Sequence, residues 1–345
     1  IDRGQWTEYR QLRPGLDDYP LAIYLDYFTM TRRPEAVRPR DVQQFLADSA
    51  NSPLPNRFLA VYLRTAGRER RWGDFLAVMP REPNDVTLKC YYFRARLAAG
   101  EKATAWEGAE RLWVHGKSQP DECDPLFKAW LAAGELTDDT VWARLLKVFD
   151  ARQRSLMGYV ARQGSLSLKP WSDKLQLVYR QPSKLASIEL PATSPYSADI
   201  AAHGLAYLAR LDPEQALRQW QGLSQGLNFD AGQVRKVEYE IALRTLFAQS
   251  EANQDWLDGA LERLAEDKLV EIRLRWALAE QDWKALGDNL GRLSAAGRSE
   301  SGWRYWQAVL DERNGERKAA RAAFENLASE RGYYSFLAAD RLGEP

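Results

Sequence analysis

Short apolar stripes at helical spacing run through the chain and constrain its fold more than any other feature. Phe58 and Tyr62 lie on one stripe, Gly67 follows it, and Trp72 and Phe75 begin the next. Residues three or four positions apart share one face of an α-helix, and glycine favours the turn that ends it. No stretch sustains the alternation of apolar and polar residues that is typical of a β-strand. The pattern predicts an all-α fold built from antiparallel helix pairs.

The same pattern of two stripes and a turn recurs downstream. The predicted helix pairs cover residues 58–76, 97–112, 205–223, 269–293 and 303–327, whereas the periodicity is weakest over residues 164–195. The pairs lack the signature of tetratricopeptide repeats, whose unit is about 34 residues, so we interpret them as degenerate helical repeats. Helix pairs of this kind bury their apolar faces by stacking on their neighbours, which predicts a superhelical solenoid.

Length and charge narrow the function classes. A chain of 345 residues exceeds the size at which one compact core usually stops growing, which agrees with an elongated repeat domain. Lysine plus arginine equals aspartate plus glutamate at 48 each, so no basic excess favours nucleic acid. No run is long and apolar enough to span a membrane. No leader sequence precedes Ile1, which suits a cytoplasmic protein or a secreted protein after processing.

Cys90 and Cys123 are the chain's two cysteines. They are too few for a zinc site and too far apart in sequence for a Cys-x-x-Cys redox pair. The residues alone leave two alternatives open, a structural disulfide and two buried free thiols.

Three stretches contain uncommon residues in a fixed order. The central one holds Cys90-Tyr91-Tyr92, Ala105-Trp106-x-Gly108-Ala109-x-x-Leu112-Trp113 and Gly116-Lys117-Ser118-Gln119-Pro120-x-x-Cys123-Asp124-x-Leu126-Phe127. The others are Pro14-Gly15-Leu16-x-Asp18-Tyr19-Pro20-Leu21 near the start, and Trp303-Arg304-Tyr305-Trp306-Gln307-Ala308 with Arg331-Gly332-Tyr333-Tyr334 near the end. Together they resemble the soluble lytic transglycosylases, bacterial enzymes that cut peptidoglycan, over nearly the whole chain.

The resemblance implies that residues 1–345 form one U-shaped α-superhelical domain, ring- or horseshoe-shaped, whose end leads toward a linker domain. It implies that a lysozyme-like catalytic domain, absent from this chain, cleaves the β-1,4 bond between N-acetylmuramic acid and N-acetylglucosamine and leaves 1,6-anhydromuropeptides. The expected partners are peptidoglycan glycan strands, the protein's own catalytic domain and other cell-wall enzymes, with no nucleic acid and no membrane span. The resemblance also implies a Cys90–Cys123 disulfide and therefore the oxidising periplasm.

One Glu-Ser pair, Glu300-Ser301, resembles the dipeptide that holds the catalytic glutamate in this family. In the family Gly-Leu-Met-Gln follows it, but here no such sequence follows and the flanks are polar and contain glycine. We therefore expect Glu300 to lie in a solvated loop. His115 and His203 stand in no motif for a metal site or a serine nucleophile, and no glycine-rich phosphate loop occurs. The expectation for this chain is no catalytic residue, no metal and no cofactor.

Aromatic residues are numerous, with 13 tryptophans. We expect six of them to fill gaps between helices: Trp72, Trp106, Trp113, Trp220, Trp283 and Trp306. Aromatic faces also stack on planar or cyclic ligands, so Trp303, Tyr305, Tyr333 and Tyr334 are candidate glycan contacts. The alternative function is a helical-repeat scaffold that binds proteins and has no enzymatic partner domain.

Overall fold

The computed structural model describes residues 6–16 and 19–343. Within these ranges the chain is helical and contains no β-strand, which confirms the predicted all-α class. The helices form two compact units, Ile1–Lys169 and Pro170–Pro345. Asp18 of the N-terminal motif lies outside the described residues.

The first unit is a series of short helices joined by tight turns. Its helices are α1 (Trp6–Leu12), α2 (Ala22–Arg32), α3 (Pro39–Asp48), α4 (Leu54–Arg68), α5 (Trp72–Val78), α6 (Val86–Ala98), α7 (Lys102–Trp113), α8 (Asp124–Ala132), α9 (Asp138–Asp150) and α10 (Arg154–Ala161). Side chains cap α6 and α9: Asp85 accepts a hydrogen bond from the Leu88 N–H at 3.0 Å before α6, and Thr137 accepts one from the Thr140 N–H at 3.2 Å before α9. Such caps satisfy donors that a helix N-terminus leaves unpaired.

The predicted pairs 58–76 and 97–112 correspond to α4–α5 and α6–α7. Helix α6 packs against both α4 and α7. Tyr91 packs against Gly67 of α4, and Phe93 packs against Gly108 of α7. A Cβ atom at either glycine would overlap the facing aromatic ring. The absence of a side chain at these two positions therefore permits the close approach of three helices.

The second unit continues the same plan. Its helices are α11 (Lys169–Arg180, which begins at the boundary), α12 (Pro195–Ala209), α13 (Pro213–Gly226), α14 (Ala231–Ala248), α15 (Gln254–Leu264), α16 (Asp267–Glu280), α17 (Trp283–Leu290), α18 (Ala295–Ser299), α19 (Ser301–Arg313), α20 (Arg317–Ala328) and α21 (Tyr333–Leu342). The pairs α12–α13, α16–α17 and α19–α20 match the predicted pairs 205–223, 269–293 and 303–327. Helix α17 ends at Leu290, short of residue 293, just before Gly291.

Successive helix pairs of the second unit share their apolar residues. Leu246, Leu261 and Trp276 join α14, α15 and α16 in one cluster. Leu274 and Trp303 belong to the next cluster, which joins α16, α17 and α19. A further cluster joins α19, α20 and α21. From α14 to α21, neighbouring helices thus bury their apolar faces against one another, as the repeat interpretation predicts.

Two of the six tryptophans expected between helices, Trp113 and Trp220, are buried, and the other four are half-buried. Arginine side chains cover two of the half-buried rings: the Arg94 guanidinium lies 5.1 Å from the Trp72 ring centre, and the Arg313 guanidinium lies 4.0 Å from that of Trp283. A guanidinium over an indole face is attracted by the ring quadrupole. These rings therefore fill helix–helix gaps and carry an arginine on the outer side.

Candidate functional site

The structure separates the four candidate glycan-contact residues into two environments. Trp303 and Tyr305 on α19 are 6% and 7% exposed, and they belong to different apolar clusters. Tyr305 lies 5.6 Å from Tyr334 between ring centres, and Tyr334 lies 5.2 Å from Tyr333. Tyr333 is 72% exposed, and Tyr334 is half-buried. Three tyrosines are thus brought together, and only one of them offers an open ring face.

A cavity of about 450 Å³ lies beside this cluster, and we call it the α16–α19 cavity. Trp303, Trp306 and Tyr334 form its aromatic wall. Its charged lining residues are Asp267, Glu271, Arg275 and Glu300. Carboxylates and an arginine beside aromatic rings can hydrogen-bond hydroxyl groups while the rings pack against an apolar sugar face.

Three of the four charged groups in this cavity have partners within the protein. Arg275 donates a hydrogen bond to Glu271 at 2.9 Å, and its guanidinium lies 5.5 Å from the Trp303 ring centre. Asp267 accepts hydrogen bonds from the backbone N–H of Ser294 at 2.8 Å and from the Ser294 hydroxyl. These hydrogen bonds hold the pKa of Asp267 below its usual value. Asp267 therefore fastens the loop before α18 to the start of α16.

Glu300 lies at the first turn of α19, where it is exposed. Its carbonyl oxygen accepts hydrogen bonds from the Trp303 and Arg304 N–H groups, both at 3.0 Å, but its side chain does not cap the helix. A glutamate that donates a proton to a glycosidic oxygen near neutral pH needs an apolar setting, because such a setting raises the pKa of its carboxyl group. The exposed position of Glu300 does not provide one.

A second cavity, of about 890 Å³, lies in the first unit and was not foreseen from the sequence. We call it the Arg144 cleft. Its walls come from the end of α7, the following loop, and helices α8, α9 and α10: Trp113, Ser118, Gln119, Asp124, Pro125, Phe127, Lys128, Leu131, Arg144, Gln153, Ser155, Leu156 and Tyr159. Several of these residues belong to the family-like stretch 116–127. That stretch was therefore the signal in the sequence that could have indicated the cleft.

The two cysteines form a disulfide, with their Cα atoms 4.8 Å apart. It joins α6 to the turn that precedes α8, and both residues are fully buried. Disulfides of this kind persist in oxidising compartments.

The histidines lie apart from both cavities. His115 is exposed in the turn after α7, where its Nδ1 accepts a hydrogen bond from the Lys117 N–H at 3.1 Å. The Nδ1 atom of His203 lies 2.9 Å from the Lys236 ammonium nitrogen. Among the residues described, no group of three or more His, Cys, Asp or Glu side chains is arranged to hold a metal ion. No helix in the same ranges combines the length and apolarity needed to cross a membrane.

The chain is an all-α helical-repeat module, because its helices stack in successive pairs and leave clefts large enough for a ligand. Such modules present extended surfaces and clefts for binding. A scan for family models gives no match.

The relatives found by sequence are soluble lytic murein transglycosylases. The protein of that name from Escherichia coli (strain K12) is 28% identical over 345 residues, which is 99% of this chain and 54% of the relative. Its counterpart from Salmonella typhimurium is 29% identical over the same shares of the two chains. The predicted resemblance is therefore confirmed over the whole chain, which spans about half the length of these relatives.

Solved structures give the same result. The 70-kDa soluble lytic transglycosylase, in complex with bulgecin A, matches with a TM-score of 0.81 at 28% identity and covers 99% of this chain. An inactive mutant of the lytic transglycosylase Slt from Pseudomonas aeruginosa matches with a TM-score of 0.81 at 30% identity and covers 100% of this chain. In both cases the match takes in 56% of the solved chain. The fold of this chain is thus that of the helical portion of these enzymes.

Proposed function

We propose that this chain is the helical scaffold of a peptidoglycan lytic transglycosylase whose catalytic glutamate lies in another domain of the full-length protein. The observation that carries the proposal is the structural match, which extends over 99% of this chain but only 56% of the solved transglycosylase. The parent protein would cleave the β-1,4 bond after N-acetylmuramic acid and release 1,6-anhydromuropeptides. Residues 1–345 would act as one superhelical domain, ring- or horseshoe-shaped, against which the catalytic domain docks.

The compartment that we propose is the periplasm. The buried Cys90–Cys123 disulfide supports it, because disulfides are rare in the reducing cytosol. The peptidoglycan substrate is also reached from that compartment. The proposed partners are glycan strands, the protein's own catalytic domain and other cell-wall enzymes.

Product analysis tests the proposed function. Purified peptidoglycan is incubated either with this chain or with the longer parent protein, and the soluble products are analysed by mass spectrometry. We expect 1,6-anhydromuropeptides from the parent protein alone. The same products from this chain would contradict the scaffold assignment, and their absence from both digests would contradict the link to a transglycosylase.

We further propose that the cluster at the end of the second unit contacts glycan through Tyr333 and Tyr334. The open Tyr333 ring and the Tyr334 ring at the α16–α19 cavity support this contact. The buried Tyr305 ring packs against Tyr334, which in turn packs against Tyr333. Tyr333→Ala should weaken co-sedimentation with insoluble peptidoglycan by about two- to tenfold.

Phe247→Ala on α14 is the matched control, because Phe247 is also apolar and 65% exposed in the second unit but lies outside the cluster. Equal losses in the two variants would show that the effect comes from general surface apolarity and would refute the specific contact.

A further inference from the structure

Arg144 is a buried arginine whose positive charge has no anionic partner. Helix α9 places it on the same stripe as Val141 and Val148, and its residue exposure is 4%. Its guanidinium carbon lies 4.3 Å from the centre of the Trp113 ring. The Nε atom has no hydrogen-bond partner, and no carboxylate in the described ranges forms an ion pair with the side chain. Burial lowers the pKa of Arg144 to about 10, as expected for an uncompensated charge.

A second buried arginine shows the arrangement that Arg144 lacks. Arg273 is 1% exposed, and its guanidinium lies 4.6 Å from the Trp276 ring centre. Its Nε lies 3.9 Å from a carboxylate oxygen of Asp258, which also lies 3.6 Å from Arg292. Both units thus stack an arginine on a tryptophan, but only the second unit supplies a carboxylate. Buried charges are normally paired, so the missing anion at Arg144 needs an explanation.

The Arg144 cleft offers a second attraction for an anion. Gln153, Ser155 and Leu156 of the N-terminal turn of α10 line it. The N-cap residue of α10, Gln153, makes no side-chain capping hydrogen bond. The first N–H groups of a helix have no partner within the helix and favour negative charge. The guanidinium of Arg144 and the start of α10 therefore face the same cleft.

The remaining walls define the rest of the ligand. Ser118, Gln119 and Ser155 provide hydroxyl and amide groups for hydrogen bonds, and Phe127, Leu131, Leu156 and Tyr159 provide apolar surface. A volume of about 890 Å³ lies within the range of small-molecule sites. This lining suits a ligand that combines one anionic group with amide and apolar parts, as the end of a short peptide does.

A carboxylate fits this site better than a phosphate. Arg144 is the buried cation among the residues that line the cleft. The other two charged lining residues, Lys128 and Asp124, are exposed and carry opposite charges. A single guanidinium can bind one carboxylate through two parallel N–H···O hydrogen bonds, whereas a phosphate dianion would face the Asp124 charge with one buried counter-charge.

We propose that the Arg144 cleft binds the carboxylate end of a short peptide, with Arg144 as its anchor. The source of that peptide rests on the proposed function: the stem peptides of peptidoglycan carry such carboxylates. The cleft would then hold a peptide branch of the glycan strand on the first unit, separately from any glycan contact.

Binding of three small probes, and of muropeptides, to this chain tests the proposal. N-acetyl-D-alanine, its uncharged amide and inorganic phosphate are titrated while the arginine Nε–Hε signals are followed by NMR, with the Arg144 signal assigned from its loss in Arg144→Met. Muropeptides released by a muramidase are titrated by calorimetry. We expect N-acetyl-D-alanine to shift the Arg144 signal, the amide and phosphate to leave it unchanged, and the muropeptides to give a saturable binding isotherm. Arg144→Met should weaken muropeptide binding by about tenfold or more.

Two variants separate binding from folding. Arg273→Met removes the other buried arginine and should leave muropeptide affinity unchanged, while Arg144→Lys keeps the charge and should retain part of it. Circular dichroism confirms that each variant is folded. Three results would overturn the proposal. Arg144→Met could bind muropeptides as tightly as the unmodified chain does, the cleft could prefer phosphate to the carboxylate, or no carboxylate could bind.

These experiments also distinguish a failure of the cleft proposal from a failure of the proposed function. Anhydromuropeptides from the parent protein without carboxylate binding would leave the transglycosylase assignment standing and refute the cleft. Arg144-dependent binding of N-acetyl-D-alanine without any murein product would support the carboxylate site and refute its assignment to peptidoglycan.

Discussion

The disulfide between Cys90 and Cys123 joins the middle of α6 to the residue that precedes α8, with the two Cα atoms 4.8 Å apart. Asp124 and Pro125, the first residues of α8, line the Arg144 cleft. The bond therefore connects the α6–α7 pair to one wall of that cleft. Its effect should be on the stability of the first unit, because neither sulfur faces solvent.

Replacing both cysteines with alanine should lower the free energy of unfolding of the first unit by about 3.5–4 kcal/mol, since the loop between them is then free in the unfolded chain. Calorimetry of the oxidised protein, the reduced protein and the double variant measures the change. Reductant should not alter the melting temperature of the double variant. Labelling of both thiols by iodoacetamide in unreduced, denatured protein would show that the bond does not form.

Gly108→Ala should destabilise the first unit, because the added methyl group overlaps the Phe93 ring. Overpacking of a core costs about 1–3 kcal/mol, which over most of that range exceeds the gain of about 1 kcal/mol from replacing glycine by alanine in a helix. Gly222→Ala on α13 is the matched control, since nothing lies within 4 Å of the added Cβ there. Urea unfolding should show opposite signs for the two variants; stabilisation by both would mean that Phe93 moves aside freely.

The sequence predicted the helix pairs well where both helices carry a regular stripe and a turn residue separates them. It was least informative over residues 164–195, where the structure forms α11. The buried face of α11 includes Ser172 beside Leu175 and Val178. A polar residue on the core side weakens an apolar periodicity, so the helix was not apparent from the pattern.

The candidate sites required tertiary information. Trp303 and Tyr305 are two positions apart on α19, about 200° around the helix, so they face different clusters and cannot form one platform. Arg144 interrupts an apolar stripe, which is visible in the sequence. The position of Trp113, from α7, and the lack of an ion pair to Arg144 within the described residues arise only when distant segments fold together.

The Asp267–Ser294 contact should make the stability of the second unit depend on pH. Hydrogen bonds from Ser294 lower the pKa of Asp267 in the folded state, so the carboxylate binds a proton less readily there than in the unfolded chain. Its contribution is therefore present above the unfolded pKa, near 3.8, and is lost as pH falls through the lower folded value. Asp267→Asn should lower the melting temperature at pH 7, and the difference from the unmodified chain should shrink on acidification. A difference that stays constant down to pH 2 would exclude this carboxylate as its cause.

Arg144 and Arg273 should respond in opposite ways to replacement by methionine, a side chain of similar length without charge. Arg144→Met removes a buried cation that has no counter-ion, and it should stabilise the first unit by about 1 kcal/mol even after the loss of the contact with Trp113. Arg273→Met removes one partner of Asp258, although Arg292 still neutralises that carboxylate, so a loss of about 1–3 kcal/mol is expected. Thermal and urea unfolding of the two variants measure the contrast. A loss of stability in Arg144→Met as large as that in Arg273→Met would show that packing on Trp113 outweighs the buried charge, and that Arg144 is kept for structural reasons.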